Sequence, residues 1–249
     1  MASINDLATA AMASSSSAGS RGAFVVLEGL DRSGKTTQAK LLEQRFVEAG
    51  RPVKVMRFPD RSTPIGQMID RYLKSDAEME DHVVHLLFSA NRWEAANQIH
   101  AALASGTTII CDRFYHSGIV YSAAKQRADL SLAWARAPER GLPRPDLVLF
   151  LDLDEERART RGGWGGELYE EAGMQRRVRD LFRALSTAGK GRGGEEEQEK
   201  EEQEEEEELV VVDAGGSVEE VAEDIWGRVR ARVRQVEAGE VGGTVRLVR

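Results

Sequence analysis

Short apolar runs alternate along this chain with longer segments in which apolar residues recur every three or four positions. Each run stops at a charged residue, a glycine or a proline, which is typical of strands buried in a sheet. The predicted strands are residues 23–27, 53–58, 107–111, 147–151 and 209–212. Their apolar character is continuous rather than alternating, which favours parallel strands covered on both faces.

Helical spacing fills the segments between these runs. Ala39, Leu42, Phe46 and Ala49 share one face of a predicted helix that ends near Gly50, and residues 64–73 and 81–104 also have helical patterns. A last helix opens with the capping-box pattern from Ser217 to Glu220. Its apolar stripe comprises Val218, Val221, Ile225, Val229 and Val233. Alternating strands and helices predict an α/β fold of three layers, with a five-stranded parallel sheet flanked by helices on both faces.

Composition limits the partners that the protein can have. The formal net charge is -8, but residues 195–208 contain eleven Glu and one Lys, so the rest of the chain carries about +2. That balance excludes a broad basic surface, so we expect no nucleic-acid partner. No stretch reaches the length of a membrane span, so we expect no membrane partner. The single cysteine, Cys111, excludes a disulfide framework.

Low-complexity segments set the predicted domain limits. Residues 1–21 are rich in Ala and Ser and predict a disordered leader, residues 22–236 the domain, and residues 237–249 a C-terminal tail. Residues 189–208 predict a solvated acidic insertion, with an interaction tail as the alternative. Organelle import is not favoured, because no arginine precedes Arg21. We therefore expect a cytoplasmic protein, and a nuclear share is compatible with the sequence.

The clearest chemical motif follows the first predicted strand. Residues 29–36, GLDRSGKT, match the P-loop pattern G-x-x-x-x-G-K-[ST] and are followed by a helix. Backbone N–H groups at such a helix N-terminus bind phosphates, because the helix dipole favours negative charge there. Lys35 would reach the outer phosphates and the Thr36 hydroxyl would bind Mg²⁺. The motif predicts a P-loop fold that binds a nucleoside triphosphate.

Missing motifs and domains narrow the classes of nucleotide-binding protein to which this chain can belong. None of the three asparagines is followed by lysine, so the guanine-reading N-K-x-D motif of GTPases is absent, and the chain has little room for the extra domains of a motor or transporter. A small phosphotransferase remains. Its need for cations around the phosphates is met at predicted strand ends, in the loop and on early helices by Arg32, Arg57, Arg61, Arg92 and Arg113.

Four further segments carry a family resemblance: RFPDRST at 57–63, HLLFSANRWE at 85–94, DRF at 112–114 and GLPRPD at 141–146. With the P-loop, they resemble eukaryotic-type thymidylate kinases, of the P-loop nucleoside monophosphate kinase superfamily, over residues 22–226. The resemblance implies ATP-dependent phosphorylation of thymidine monophosphate to the diphosphate, for dTTP synthesis. It also implies Mg²⁺ with ATP and a homodimer.

The resemblance assigns site residues. ATP would be bound by Gly29, Asp31, Arg32, Ser33, Gly34, Lys35, Thr36, Thr37 and Arg161. Thymidine monophosphate would be bound by Asp31, Phe58, Arg61, Phe88, Arg92, Arg113, Ser117, Gly118, Tyr121 and Tyr169. The catalytic residues would be Arg32, Lys35, Asp112 and Arg113, and the metal would be held by Thr36 and Asp112.

Individual roles also come from the resemblance. Phe88 would stack on the thymine, Asp31 would meet the sugar 3′-hydroxyl, and Tyr121 would crowd the 2′ position. Asp112 ends a predicted strand near Thr36, and a role at the metal is favoured over general base or structural ion pair. The acceptor phosphate, with a second pKa near 6, needs no proton removed at neutral pH.

Two positions depart from the family pattern. In the predicted lid, about residues 157–170, Leu168 stands where the family commonly has arginine, and Phe114 stands where it commonly has tyrosine. The first departure shifts the expected catalytic charge to Arg32 and Arg161. Two alternatives stay open: a kinase for another nucleoside monophosphate or a deoxynucleoside, and a weakly catalytic nucleotide-binding module that recruits partners through its Glu run.

Overall fold

A computed structural model describes residues 20–154, 157–158, 168–169, 171–188 and 209–249. In these ranges five parallel strands form one sheet in the order β2-β3-β1-β4-β5, which confirms the predicted α/β class. The strands are β1 Phe24–Gly29, β2 Val53–Arg57, β3 Thr108–Asp112, β4 Leu147–Asp152 and β5 Leu209–Asp213.

Helices cover both faces of this sheet. They are α1 Lys35–Glu48, α2 Pro64–Leu73, α3 Asp81–Ala104, α4 Tyr115–Ala123, α5 Leu132–Arg136, α6 Ala172–Ala188 and α7 Val218–Glu237, with a 3₁₀ turn at Ala137–Glu139. The capping box at the start of α7 is present, with the Ser217 side chain accepting from the Glu220 N–H.

Alternation along the strands divides the core into two layers. Phe24 and Val26 of β1 pack with residues of α3, α4 and α6, whereas Val25 and Leu27 pack with residues of α1 and α7. All four side chains are fully buried. A strand that is buried on both faces has no polar face, which is why β1 is a continuous apolar run.

The strand register places the functional segments together at the carboxyl-terminal ends of the strands. Arg57 of β2 and Leu27 of β1 both pair with Asp112, and Asp152 of β4 pairs with Asp213 of β5. The P-loop leaves β1 at the middle of the sheet, so it lies between the residues that follow β3 and those that follow β4. Ligands of open α/β sheets bind at this carboxyl edge.

Three helices have no counterpart among the predicted elements. Helix α4 is buried over most of its length and therefore shows no polar face in its sequence. Two residues assigned to apolar helix faces are exposed: Ala49 caps the end of α1, and Val218 lies in the first turn of α7.

The chain ends of the described domain are tied to it. Arg21, the last residue of the predicted leader, is buried and pairs with Asp146 through two 2.7 Å contacts. In the predicted C-terminal tail, Val248 is buried and exchanges hydrogen bonds with Gly141 and Leu142. Residues 1–19, most of the predicted lid and the whole insertion 189–208 lie outside the described residues. In the part of the chain that is described, no helix is both long enough and apolar enough to cross a membrane.

Candidate active site

The P-loop is held in an open curve by backbone conformations that its sequence permits. Gly29 has φ 151°, and a Cβ there would lie 2.8 Å from the Leu151 carbonyl oxygen. Gly34 adopts φ 101° as it caps α1, a conformation that side chains disfavour. Arg32 has φ 65°, the left-handed region, which costs a non-glycine residue some strain. Strain of this kind is commonly found at functional sites.

The Lys35 ammonium lies inside this curve. It donates hydrogen bonds to the carbonyl oxygens of Gly29 at 3.1 Å and Leu30 at 2.6 Å. Burial, aided by the positive charge of Arg113, lowers the pKa of Lys35 to about 8. Lys35 therefore loses its proton at a lower pH than a surface lysine does. A bound anion nearby would raise its pKa again.

A pair of oxygens stands at the start of α1. The Thr36 hydroxyl donates to a carboxylate oxygen of Asp112 at 2.5 Å, and Arg57 Nε lies 3.9 Å from the same oxygen. No group of three or more His, Cys, Asp or Glu residues that could hold a metal occurs in the described ranges. Mg²⁺ bound together with phosphates needs one or two protein oxygens, so Thr36 and Asp112 fit it and a closed protein cage is not required.

One cavity opens over the P-loop. Seven of the nine predicted ATP residues line it: Asp31, Arg32, Ser33, Gly34, Lys35, Thr36 and Thr37. Gly29 is not among the residues that line it, and Arg161 lies outside the described residues. The remaining wall comes from Gln38, Arg57, Asp112, Arg113, the β5–α7 connection at Ala214, Gly216 and Ser217, and the start of α7 at Val218 and Val221.

A second cavity adjoins the first. All ten residues predicted to bind thymidine monophosphate line it: Asp31, Phe58, Arg61, Phe88, Arg92, Arg113, Ser117, Gly118, Tyr121 and Tyr169. They come from five separate segments of the chain. The two cavities share Asp31, Arg32, Arg57 and Arg113, so one carboxylate and three guanidinium groups stand where they meet.

Arg113 is the centre of this junction. It donates to Asp31 at 2.6 Å and to the Ser117 hydroxyl at 2.9 Å. Ser117 in turn donates at 2.6 Å to Glu28, a fully buried carboxylate at the end of β1 that also accepts the Phe114 N–H. These bonds fix Arg113, which adopts a left-handed φ of 68° and reaches Asp31 of the P-loop.

The pKa values of Asp31 and Glu28, the two carboxylates bonded to Arg113 directly or through Ser117, shift in opposite directions. Burial raises the pKa of Glu28 despite the charge of Arg113 and three hydrogen bonds. Burial alone would also raise the pKa of Asp31, but the charges of Arg113 and Lys35 outweigh it and lower the pKa. Asp31 is therefore an ionised acceptor at the boundary between the cavities.

The far end of this second cavity is built on α3. Arg92 is 2% exposed and donates from Nε to Glu139 at 2.9 Å, with a second contact from Nη2. Gly118 gives the guanidinium its space, since a Cβ there would lie 2.6 Å from Arg92 Nη2. Phe88 lines the cavity and also packs against Ile69 and its neighbours.

Phe114 and Leu168, the two departures from the family pattern, have different surroundings. Phe114 is fully buried, with its ring centroid 5.2 Å from that of Phe24 and 5.5 Å from that of Phe58. An apolar ring suits this position because it is packed between two other apolar rings. Leu168 is 44% exposed, and its N–H donates to the Leu73 carbonyl oxygen at 2.9 Å.

Sequence analysis missed several residues of the site. Gln175 of α6 is fully buried and donates to Asp31 at 3.0 Å and to the Tyr169 carbonyl oxygen at 2.7 Å. Glu139 holds Arg92 from a 3₁₀ turn, and neither residue type is distinctive in its local sequence. The β5–α7 connection was detectable, because it follows a predicted strand at the ligand-binding edge of the sheet.

Known proteins of one family resemble this chain in sequence. The sequence model of the family described as thymidylate kinase matches residues 27–225. The chain belongs to the thymidylate kinase family. It is 43% identical over 205 residues to a thymidylate kinase of Danio rerio, covering 82% of this chain and 88% of the relative. It is 49% identical over 165 residues to one of Arabidopsis thaliana, covering 66% of this chain and 62% of that relative's length.

A solved structure extends the family likeness to three dimensions. The thymidylate kinase of Candida albicans superposes with a TM-score of 0.76 at 34% identity, covering 92% of this chain and 99% of that one. That structure is described as revealing the origin of broad substrate specificity and a novel structural element. The P-loop kinase fold predicted from the sequence is thereby confirmed.

The lowered pKa of Lys35 makes nucleotide binding depend on pH. With a pKa of about 8 in the free protein, the ammonium is mostly charged near pH 7 and mostly neutral near pH 9. Bound phosphates raise this pKa, so binding takes up a proton at high pH. We expect the affinity for ATP, measured by isothermal titration calorimetry, to fall about tenfold between about pH 7 and about pH 9. Lys35→Arg should remove this dependence, and a flat profile in the unchanged protein would contradict it.

Proposed function

We propose that this protein transfers the γ-phosphoryl group of ATP to thymidine monophosphate, giving the diphosphate for dTTP synthesis. The observation that carries the proposal is the junction at which a P-loop cavity and an acceptor cavity share Asp31, Arg32, Arg57 and Arg113. Phosphoryl transfer needs donor and acceptor in line with cations between them, because catalysis consists mostly of positioning and charge stabilisation.

On the donor side, the P-loop N–H groups and the Lys35 ammonium would bind the phosphates of ATP. Thr36 and Asp112 would hold Mg²⁺, which when bound neutralises charge on the donor phosphates. The wall formed by Ala214 and Gly216 to Val218 lies on the α7 side of this cavity and offers a surface for the adenosine end.

On the acceptor side, Phe88 would stack on the base, Arg61 and Arg92 would hold the acceptor and its monophosphate, and Arg113 would touch the phosphates. Asp31, held ionised by Arg113, would accept from the sugar hydroxyl. The Asp112 carboxylate accepts from Thr36 in the P-loop cavity and does not itself line the acceptor cavity, which supports a metal role rather than a base. The acceptor phosphate is already largely a dianion at neutral pH, so no base is needed.

Acceptor choice tests the proposal. With ATP and Mg²⁺, turnover of thymidine monophosphate should far exceed that of the cytidine, adenosine and guanosine monophosphates in a coupled ADP-release assay. Phe88→Ala should weaken thymidine monophosphate binding by a stacking contact of roughly 1 to 3 kcal/mol and leave ATP affinity unchanged. Equal turnover of another monophosphate would favour the alternative kinase, and binding without turnover would favour the nucleotide-binding module.

Arg32 is proposed as the catalytic cation. It lines both cavities from within the P-loop, whereas Leu168 occupies the usual lid arginine position and Arg161 lies outside the described residues. A cation between donor and acceptor acts mainly on the transition state. Arg32→Ala, which keeps a Cβ at this positive φ, should therefore lower kcat at least about a hundredfold with little change in the KM for ATP. A larger loss of kcat in Arg161→Ala would overturn the assignment.

A homodimer is proposed from the outer side of α3. Val83, Leu86 and Trp93 are between 41% and 49% exposed and, with Ala90, form one apolar stripe at helical spacing. His85, Phe88 and Arg92 lie on the opposite side of the helix and line the acceptor cavity. Exposed apolar stripes commonly form interfaces, and two copies of one stripe can pair symmetrically.

The dimer proposal is tested by light scattering after size exclusion. Leu86→Glu should convert a dimer to a monomer, because it places a charge at the centre of the stripe. Val47→Glu, at a 63% exposed position on α1, is the matched control and should stay dimeric. A monomeric unchanged protein would contradict the proposal.

The cytoplasm remains the proposed location, with a nuclear share. Imaging of the full chain carrying a C-terminal fluorescent tag tests it, and uptake into an organelle would contradict it.

A further inference from the structure

Two described residues of the predicted lid are fastened to the rest of the domain. The Leu168 N–H bonds to the Leu73 carbonyl at the end of α2, and the Tyr169 carbonyl accepts from Gln175 of α6. The Tyr169 hydroxyl lies 3.2 Å from that of Tyr72. Because Tyr169 lines the acceptor cavity, these contacts determine the position of one wall of that cavity.

Lys125 lies at the centre of these contacts, just beyond the end of α4. Its ammonium donates to Asp81 at 2.6 Å and to the Tyr72 hydroxyl at 3.3 Å. It also lies 5.6 Å from the Tyr72 ring centroid and 5.4 Å from the Tyr169 ring centroid. The side chain is only 13% exposed, so these charge–ring attractions are partly shielded from water.

The contacts of Lys125 join four separate parts of the fold. They connect the end of α4 to α2 through Tyr72, to the start of α3 through Asp81, and to the lid through Tyr169. Lys125, Tyr72 and Asp81 do not line the acceptor cavity, whereas Tyr169 does. Any influence of Lys125 on the acceptor must therefore pass through the residues that it holds.

We propose that Lys125 is a positioning residue that holds Tyr169 against the acceptor cavity and so strengthens acceptor binding. Acceptor affinity falls as the fraction of molecules in which Tyr169 is displaced from the cavity rises. Contacts of Tyr169 with the Lys125 ammonium lower that fraction. The inference rests on the proposed function for the identity of the acceptor, thymidine monophosphate.

Asp81 allows the charge and ring contacts to be separated. Its second oxygen accepts from Arg127 at 3.2 Å, so the carboxylate keeps a cation when Lys125 is replaced. Among the described residues, Arg127 makes no cation–ring contact with either tyrosine; its partners are the carboxylates of Asp81, Asp129 and Glu80. Arg127→Met therefore removes a cation from the same carboxylate without touching the lid and is the matched control.

Calorimetric titration of thymidine monophosphate and, separately, of ATP tests the inference. Lys125→Met should weaken thymidine monophosphate binding by about threefold to tenfold, as expected for loss of a partly buried cation–ring contact, with ATP affinity unchanged. Lys125→Arg should restore most of the affinity, and Arg127→Met should match the unchanged protein. Equal losses for both ligands, or none in Lys125→Met, would overturn the inference.

A double-mutant cycle shows whether Lys125 acts through Tyr169. If it does, Lys125→Met should cost little further affinity in a Tyr169→Ala background. Additive losses would contradict the inference. Hydrogen–deuterium exchange gives a second readout: peptides containing the Leu168 amide should exchange faster in Lys125→Met, and those from β1 and β3 should not.

Failure of this inference is distinguishable from failure of the proposed function. An unchanged protein that does not bind thymidine monophosphate contradicts the function itself. If the unsubstituted protein and Lys125→Met bind thymidine monophosphate equally tightly, only the role of Lys125 is contradicted.

Discussion

The pairing of Arg113 with Asp31 determines how the two halves of the site relate to each other. Arg113 follows the central part of the sheet at β3, and Asp31 lies in the P-loop that follows β1, so their 2.6 Å contact spans the donor and acceptor cavities. The guanidinium is partly buried and needs compensating charge. Asp31 supplies it directly, and the Ser117 hydroxyl, which accepts from Arg113 and donates to Glu28, adds a hydrogen bond. Removal of one member would leave another charge without its partner.

Helix α3 carries a second constraint, because both of its sides are used. Its inner side places Phe88 and Arg92 in the acceptor cavity, while Arg92 is held by Glu139 on a separate turn. Its outer side carries the exposed apolar stripe that includes Leu86 and Trp93. Trp93 joins the two sides, since its indole N–H donates at 2.8 Å to the Pro138 carbonyl next to Glu139. A partner covering the stripe would therefore contact Trp93, which is bonded to the residue that precedes Glu139.

How much of this the sequence predicts depends on how local each feature is. The P-loop is a continuous segment between a strand and a helix, so residues such as Lys35 and Thr36 were predicted with their surroundings. Glu139 and Gln175 were missed because their partners lie 47 and 144 positions away, and only the folded topology brings them together. Helix α4 was missed for a different reason: most of its residues are buried, which removes the periodicity by which a helix is recognised.

The charges of the site balance only when phosphate is included. Arg113 already repels Lys35 enough to contribute to its lowered pKa, and Arg32 and Arg57 border the same junction. Asp31 and Asp112 offset part of this charge. Burial makes repulsion among cations stronger than it would be in water, so the free protein carries an unfavourable energy that anionic ligands relieve. Electrostatic affinity for two phosphate-bearing ligands is thus built into the placement of these groups, before any shape-specific contact with adenine or thymine is made.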